Sequence, residues 1–595
     1  MVSTVSIGES LEATLQNACR IDDAWSYVEH AMTSIRLSGS DDEERSVAFL
    51  KNRLDEWGVQ HQTFTPTTFI SWPLKATLRV LGEDGFSVMA KNPSMSVSTG
   101  GKEVEGELVY VPTAYATGAA DLFETGHIAE VDVRGKVVLT EGFPFEGKVR
   151  ELTQRGAAAT VFVGPGERIH EGITSSIWGS PDLDTMDRQV SVPILAINRP
   201  EGLRLIEMAK QGSVRIAYST NVETGWRPIR ILEATIPGSV LPDEFVLLHA
   251  HLDSWHEGIG DNATGNALLL ELARVLQQMQ SDLVRTVKIV WWSGHSHGRY
   301  AGSAWYVDEF GIDLMERCVA HINSDSPGCR WAATYNDMMW TEEAGPLTTR
   351  TVQDVTGIEP TWARPIRAGD YSFSNLGITG MFMLSSTMTP EHRQELGYYQ
   401  VGGCGGNIAW HTEDDVLDIA DRDNLLRDIR MYGTTVLRTV NAPILPLDFR
   451  LTVDGFRATL DRYQATAGDR FDFSRAFAEL DRLRADLDAF YQSLPDNAAI
   501  DAQDEVARSA TRTQMELGRL LVSVGYAREG HFHQDPAENI PALPDLAVVS
   551  VLASSEPGSH LDHAAQISLR RGMNRLVNAL RRAREAAGGS PGAGE

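Results

Sequence analysis

Cysteine is scarce. The chain has 595 residues and four cysteines, Cys19, Cys318, Cys329 and Cys404. They are scattered without metal-ligand spacing, which excludes a disulfide scaffold and a cysteine zinc site and suits a reduced, cytoplasmic protein. Long hydrophobic runs are missing too. No stretch approaches the ~18 apolar residues of a membrane span. Met1 to Glu9 lacks both the basic and the apolar region of a signal peptide, so none is expected. Basic charge is in deficit, with 53 Lys and Arg against 81 Asp and Glu, a net charge of −28. That argues against nonspecific nucleic-acid binding and against docking on anionic membrane. What remains is ordinary globular composition, 42% hydrophobic and 23% charged. The length is too great for one core and implies roughly three or four domains.

Texture changes along the chain. Residues 10–60 have helical spacing, interrupted at 35–41, with Val47, Leu50, Leu54 and Trp57 on one face. Residues 63–79 predict strand. Between 100 and 225 short β-rich runs (107–111, 136–140, 156–163, 192–197) alternate with a helix near 148–155. Residues 226–445 alternate strands at 245–250, 287–292, 318–323 and 380–384 with helices at 264–279 and 423–440, the texture of a mostly parallel sheet. In the helix at 264–279, Leu268, Leu269, Leu272 and Val275 share a face. From 446 onward the pattern is helical, with long apolar stripes at 473–494 and 504–524 and a basic amphipathic helix at 564–587. The Gly/Pro-rich tail, 588–595, is expected to be disordered.

The chemistry concentrates after the run Phe245-Val246-Leu247-Leu248. There His251-Leu252-Asp253-Ser254-Trp255 is followed by Asp261-Asn262-Ala263-Thr264-Gly265. An imidazole and two carboxylates reach one strand end, where an open α/β sheet binds ligands, and they are the donors a zinc-type ion needs. Asn323-Ser324-Asp325 closes a later strand, and Trp410-His411-Thr412 precedes the last large helix of this region. Taken singly each is bland: an Asn-Ser-Asp is usually a turn, a Trp-His-Thr usually a loop. Four in order, each beside a strand, are not a coincidence.

In that order the four elements resemble the co-catalytic zinc aminopeptidase family, which includes glutamate carboxypeptidase II. The resemblance implies that His251 and Asp325 hold one metal and that Asp261 bridges two, its bond to Asn262 being a cis peptide. It implies that His411 holds the second ion and that Asp253 orients His251 through its other ring nitrogen. Asp415 falls where the family carries a carboxylate four residues after the histidine. The pieces Gly156–Val163 and Val192–Ile197 are similar to the protease-associated domain, a small α/β lid. His531-Phe532-His533-Gln534-Asp535-Pro536, with Pro541-Ala542-Leu543-Pro544, resembles the helical domain of the transferrin receptor and glutamate carboxypeptidase II group, which implies a homodimer.

A fifth family element is absent. The family follows a strand ending in Trp with Glu-Glu-x-Gly-Leu-x-Gly-Ser, the first Glu taking a proton from the attacking water and the second binding the second metal. Here Val287–Trp292 leads into Ser293-Gly294-His295-Ser296-His297-Gly298-Arg299-Tyr300-Ala301-Gly302-Ser303. Counted from Trp292 the pair falls on His295 and Ser296; counted back from Gly302 it falls on Ser296 and His297. Three readings compete. A histidine takes over a metal ligand or the base; or one metal remains; or the site is silent and the chain is a scaffold. The first is favoured, with His295 as the ligand because it lies nearest the strand end, and His297 either facing solvent or standing beside it.

The expected fold is therefore α/β, with a mostly parallel central sheet flanked by helices (1–100 and 226–445), an inserted β-rich protease-associated domain (101–225) and a C-terminal helical domain (446–595). The expected function is metal-dependent hydrolysis of an amide bond in a peptide or peptide-like small molecule. The alternatives are a lyase or cyclase on the same site, a step the glutaminyl cyclases suggest by fold analogy alone, or a silent dimeric scaffold. The candidate metal ligands are His251, Asp261, Asp325, His411 and His295. The candidate catalytic groups are His295, His297 and Asp253. Candidate substrate contacts are Arg299, Tyr300, Arg367, Asp370, Tyr371 and Tyr399. The expected cofactor is one or two divalent ions, zinc first, with iron or another transition metal as the alternative. The glycine cluster 402–406 is expected to form a mobile lip, since no Gly-Lys-Ser/Thr follows it.

Overall fold

The computed structural model describes residues 9–118, 121–122 and 125–589. The readings of residues 1–8 and of 590–595 lie outside them. The strands are β1 (Gln60–Phe64), β2 (Thr67–Val80), β3 (Ser87–Val88), β4 (Val104–Tyr110), β5 (Val137–Glu141), β6 (Ala159–Val163), β7 (Ile194–Ile197), β8 (Val214–Pro228), β9 (Ile231–Ile236), β10 (Leu241–His251), β11 (Arg285–Trp292), β12 (Cys318–Asn323) and β13 (Gly380–Met381). They form a six-stranded sheet, ordered β1-β9-β11-β10-β12-β13, and a seven-stranded sheet, ordered β3-β2-β8-β4-β5-β6-β7.

In the first sheet β10 is central. It pairs in parallel with β11 and β12, and β12 with β13, while β9 is antiparallel to β1 and β11. Phe245 to Ala250 and Val287, Ile289 to Trp292 are buried without alternation, as strands covered on both faces must be. The helix Thr264–Gln278 joins β10 to β11 and is buried from Thr264 to Val275 and Leu276. It is covered on all sides, beyond the single stripe read from its leucines, because the helices Ile21–Ala31 and Arg422–Val440 both pack on it. Strand β13 is shorter than the expected 380–384, since Phe382 turns the chain at φ 61°.

The second sheet draws on both sides of the 100/101 division. Strand β2 pairs antiparallel with β8 from Thr67 opposite Pro228 to Val80 opposite Ile216. Sequence places residues 63–79 as one strand with the first domain. In the structure Phe64 ends β1 in the first sheet, and Thr67 begins β2 in the second. The chain leaves along β2 and returns along β8 into β9, so this two-stranded ribbon is the stalk of the insertion. Strands β4 to β7 are parallel neighbours with a core of their own that includes Leu108, Leu139, Val161 and Leu195.

Helix starts are set locally. Ser40 accepts from the Glu43 amide at the head of Asp41–Glu56, Asn198 from Glu201 at Arg199–Gln211, and Asp421 from Asp423 and Asn424 at Arg422–Val440. After residue 446 come the helices Phe449–Ala467, Ser474–Ser493, Glu505–Tyr526, Val549–Ser554 and His560–Ala586. A loop from this region reaches back to the insertion, the Ala537 amide donating to the Ser176 carbonyl over 3.0 Å. No helix among the described residues is long and apolar enough to cross a membrane. All four cysteines are buried and free.

Candidate metal centre

The parallel register decides which loops meet. His251, last in β10, lies opposite Trp292, last in β11, and His249 lies opposite Asn323 at the end of β12. The segments after β10, β11 and β12 therefore leave the sheet at one edge, carrying Asp253 and Asp261, His295 to His297, and Asp325.

Asp261 sits in a distorted turn before the helix Thr264–Gln278, and the Asp261–Asn262 peptide is cis, as the resemblance implied. Asn262 ties this turn to the next loop: its Nδ2 donates to the Ser324 carbonyl at 2.8 Å, and its Oδ1 accepts from the Gly265 and Ser326 amides, both at 3.1 Å. Gly265 cannot carry a side chain here, because a Cβ would lie 2.2 Å from Asn262 Oδ1 and 2.7 Å from the Ser324 carbonyl. Asp415 holds the same turn from the other side, accepting from the amides of Gly260 (2.7 Å) and Asp261 (3.1 Å). Burial, aided by the charge of Asp261, pushes its carboxyl up to about 7.

Asp261 lies between two imidazoles. His251 Nε2 is 2.9 Å from its Oδ1 and 3.8 Å from Asp325 Oδ2, and His411 Nε2 is 3.0 Å from its Oδ2. His251 Nδ1 donates to the Asp253 carbonyl and His411 Nδ1 to the Glu171 carbonyl, each at 3.0 Å. Both rings therefore carry a proton on Nδ1 and turn Nε2 toward the carboxylates. His251 Nε2 and Asp261 Oδ1 are buried and have no hydrogen-bond partner.

The electrostatics agree. Burial opposes charge on His251, but Asp261, Asp325 and Asp253 outweigh it and push the imidazole up to about 10. Burial and the charge of Asp261 push Asp325 up to about 6. For Asp261 burial is outweighed by His251 and His411, which hold it well below the usual carboxylate range. Buried donors of imidazole and carboxylate type, clustered with a surplus of negative charge, fit a divalent ion of the zinc class.

Asp253 acts differently from the expectation. It meets His251 through its main-chain carbonyl, while its carboxylate lies 4.0 Å from the ring. That carboxylate clamps the loop after β11, accepting from the amides of His295 (3.3 Å) and Ser296 (2.8 Å) and from the Ser38 hydroxyl (2.9 Å). It is fully buried and does not face the cavity.

The loop after β11 divides its residues between the cavity and the interior. His295 and Ser296 line the cavity, and His297 does not. His297 is fully buried, its Nδ1 3.0 Å from Ser38 Oγ and its ring against Trp255 with centroids 4.3 Å apart. The expected catalytic or solvent-facing His297 is corrected accordingly: the loop turns it away into the packing beneath. His295 stacks on His251, with ring centroids 3.8 Å apart and planes 12° from parallel, and its Nδ1 lies 2.6 Å from Asp370 Oδ2. One donor atom each from His251, His295 and Asp325 lie within 4.8 Å of one another.

These groups open on a small cavity of ≈ 70 Å³ whose walls include Phe145, Ile173, Trp255, Tyr300, Met383 and Trp410. Of the expected substrate contacts, Arg299 and Tyr300 line it. Arg299 is also 2.7 Å from Glu146 of the insertion and donates to the Ala537 carbonyl at 3.1 Å. The others do not reach the cavity. Arg367 donates to Gln534 and to the carbonyls of Asp535 and Pro536, so it holds the C-terminal loop. Tyr371 is buried edge-on against His321, and the Tyr399 hydroxyl bonds His170 at 2.7 Å. Asp370 is spent on His295 and Ser303. The glycine cluster 402–406 is not an open lip, since Gly403, Cys404, Gly405 and Gly406 are buried and the Cys404 amide donates to Ser326. Two features escaped the sequence reading: the insertion's grip on His411 through Glu171, and Asp370 as the partner of His295. Neither has a local signal.

Comparison with known proteins agrees with this geometry. Residues 232–434 match the model of peptidase family M28, and residues 104–205 that of the PA domain. The chain carries a peptidase family M28 domain. A probable lipoprotein aminopeptidase, LpqL, of Mycobacterium tuberculosis is 26% identical over 53% of this chain and 59% of its own length. A probable glutamate carboxypeptidase, VP8, of Zea mays is 23% identical over 70% of this chain and 66% of its own. The chain thus spans less than two thirds of the length of these relatives. Among solved structures, an aminopeptidase from Aneurinibacillus sp. strain AM-1 superposes with a TM-score of 0.52 at 19% identity, over 71% of this chain and 95% of that one. A peptidase M28 precursor from Shewanella amazonensis gives 0.53 at 19%, over 72% and 96%. These two likenesses establish the M28 aminopeptidase fold around the central sheet.

Proposed function

We propose that this M28 chain is a metal-dependent hydrolase of an amide bond in a peptide or peptide-like small molecule. His251, Asp261 and Asp325 hold one divalent ion, zinc by donor chemistry, and His411 with Asp261 provides a weaker second position. The observation that carries the reading is Asp261 set between His251 Nε2 and His411 Nε2 at 2.9 and 3.0 Å, with Asp325 3.8 Å from His251 Nε2 and with His251 Nε2 and Asp261 Oδ1 lacking hydrogen-bond partners. An ion held there would polarise a carbonyl and acidify water. The protein's own share is to place the substrate between the apolar walls and the donor set, exclude bulk water and handle protons. Ser296 stands where the family has a ligating carboxylate, so the second position has two protein donors among the described residues.

The test is metal analysis of purified protein, joined to hydrolysis of a panel of amino-acid p-nitroanilides and dipeptides before and after chelation. The expected result is about one zinc per chain and turnover that disappears with chelator and returns with zinc. Protein that holds no metal after zinc-replete expression contradicts the proposal.

A further inference from the structure

We propose that His295, held by Asp370, is the proton acceptor for the attacking water and is not a metal ligand; this rests on the hydrolase reading above. Three observations lead to it.

The first is the tautomer. His295 Nδ1 lies 2.6 Å from Asp370 Oδ2, so the proton is on Nδ1 and the lone pair on Nε2. Asp370 is 1% exposed, and its other oxygen accepts from the Ser303 hydroxyl at 2.6 Å. Ser303 Oγ lies 2.9 Å from Ser372 Oγ, which accepts from Trp178 Nε1 of the insertion at 2.8 Å. The carboxylate is thus fixed on both oxygens and can only hold the ring in one orientation. Buried carboxylate, imidazole and reacting proton in this order form the arrangement that prepares a histidine for base catalysis.

The second is the stack. Imidazole binds a metal through a lone pair in the plane of its ring, at about 2.0–2.1 Å for zinc. The His251 and His295 rings are stacked face to face and only 12° from parallel. Lone pairs confined to two such planes do not converge, so the two rings would not serve one ion together. The third is reach. The His295 donor is within 4.8 Å of the donors of His251 and Asp325, and the ring faces the cavity. That separation suits a water molecule between His295 and the donor set.

The step balances. One O–H bond of water breaks and its proton passes to His295 Nε2, while Nδ1–H stays donated to Asp370. The oxygen forms a bond to the amide carbon. The C–N bond then breaks, and Nε2–H protonates the departing nitrogen, giving a carboxylic acid and an amine and restoring neutral His295. Asp370 is a positioning residue and keeps its bond to Nδ1–H throughout.

The experiment compares wild type with His295→Ala, His295→Glu and Asp370→Asn in zinc-loaded and cobalt-substituted full-length protein. For His295→Ala we expect the wild-type zinc content and an unchanged visible cobalt spectrum. Turnover should fall about 100-fold or more, with KM little changed, the size of a lost general base. Exogenous imidazole should restore part of it. His295→Glu, which places a carboxylate base on the same loop, should recover more activity than the alanine variant. Asp370→Asn should lower kcat with KM and zinc content unchanged, and it serves as the control should His295→Ala fold poorly. Loss of zinc or a shifted cobalt spectrum in His295→Ala makes it a ligand and overturns the proposal, as does undiminished turnover. If wild type itself holds no zinc and hydrolyses nothing, the hydrolase reading fails first and takes this one with it.

Discussion

The two sides of the cavity are built from opposite materials. On the β10 side the functional atoms of His251 and Asp261 are buried and lack hydrogen-bond partners, yet they lie 2.9 Å apart. On the β11 side the loop is tied down at several points, although His297 Nε2 and Ser293 Oγ are buried without partners. His295 is bound by Asp370, the amides of His295 and Ser296 by Asp253, and His297 by Ser38. Buried polar atoms left without partners are costly and are kept where something else satisfies them. On the β10 side the open donor Asp261 faces the cavity and suits an ion; on the β11 side the cavity-lining loop is closed by its clamps and holds a shape. The difference separates metal binding from proton handling along two neighbouring strand ends.

The largest expected effect tests the open side. Asp261→Ala removes the carboxylate between the two imidazoles. It should abolish stable zinc binding and lower turnover by about 10³-fold or more, read by metal analysis of the dialysed protein and by the p-nitroanilide panel. If the variant keeps its zinc, the β10 side is not the metal site.

Next comes an attempt to open the closed side. Ser296 lines the same cavity as Asp261 and His411. Ser296→Glu adds a third donor to the weaker position and should raise the zinc that survives dialysis toward two per chain. No gain would mean that Asp261 and His411 do not form a second position. His297→Ala, by contrast, should leave zinc content untouched and cost about 2 kcal/mol of folding stability, as truncation of a fully buried ring does. A urea titration measures it, and loss of metal would return His297 to the ligand set.

The last effect concerns Glu43, which is fully buried. It accepts from the amides of Gly39 and Arg230, and burial, with the charge of Asp253 nearby, raises its carboxyl from 4.5 to about 8. The folded chain therefore keeps this proton at pH values where the unfolded chain gives it up. The associated stability is full below about pH 4.5 and is lost as pH rises through 8. Glu43→Gln has no such proton to lose. Between pH 5 and 9 it should lose less stability than wild type, by on the order of a few kcal/mol. Parallel curves for the two proteins would show that Glu43 is ionised in the fold.

The open side was legible in the sequence and the closed side was not. Strands β10 and β12 are unbroken apolar runs, and His251, Asp261 and Asp325 follow their ends at short range, so strand pattern alone brings them to one edge. His411 came from its family motif. The partner of His295 lies 75 residues away, on a turn with no periodicity to announce it. The insertion's hold on His411 spans 240 residues. Just after His297 come two consecutive left-handed residues, Arg299 at φ 50° and Tyr300 at φ 70°, where the loop enters its helix. Neither residue type favours that conformation, so sequence gave no warning of it. The fold followed the same rule. The parallel core was readable, but β2 crossed into the second sheet because its partner β8 lies beyond the whole insertion.

A crystal structure with zinc bound tests the division of labour most directly. The account predicts an ion at about 2.0–2.2 Å from His251 Nε2, Asp261 and Asp325, with His295 Nε2 outside bonding distance and Nδ1 still on Asp370. An ion bonded to His295 Nε2, with the ring turned off its stack on His251, would contradict it.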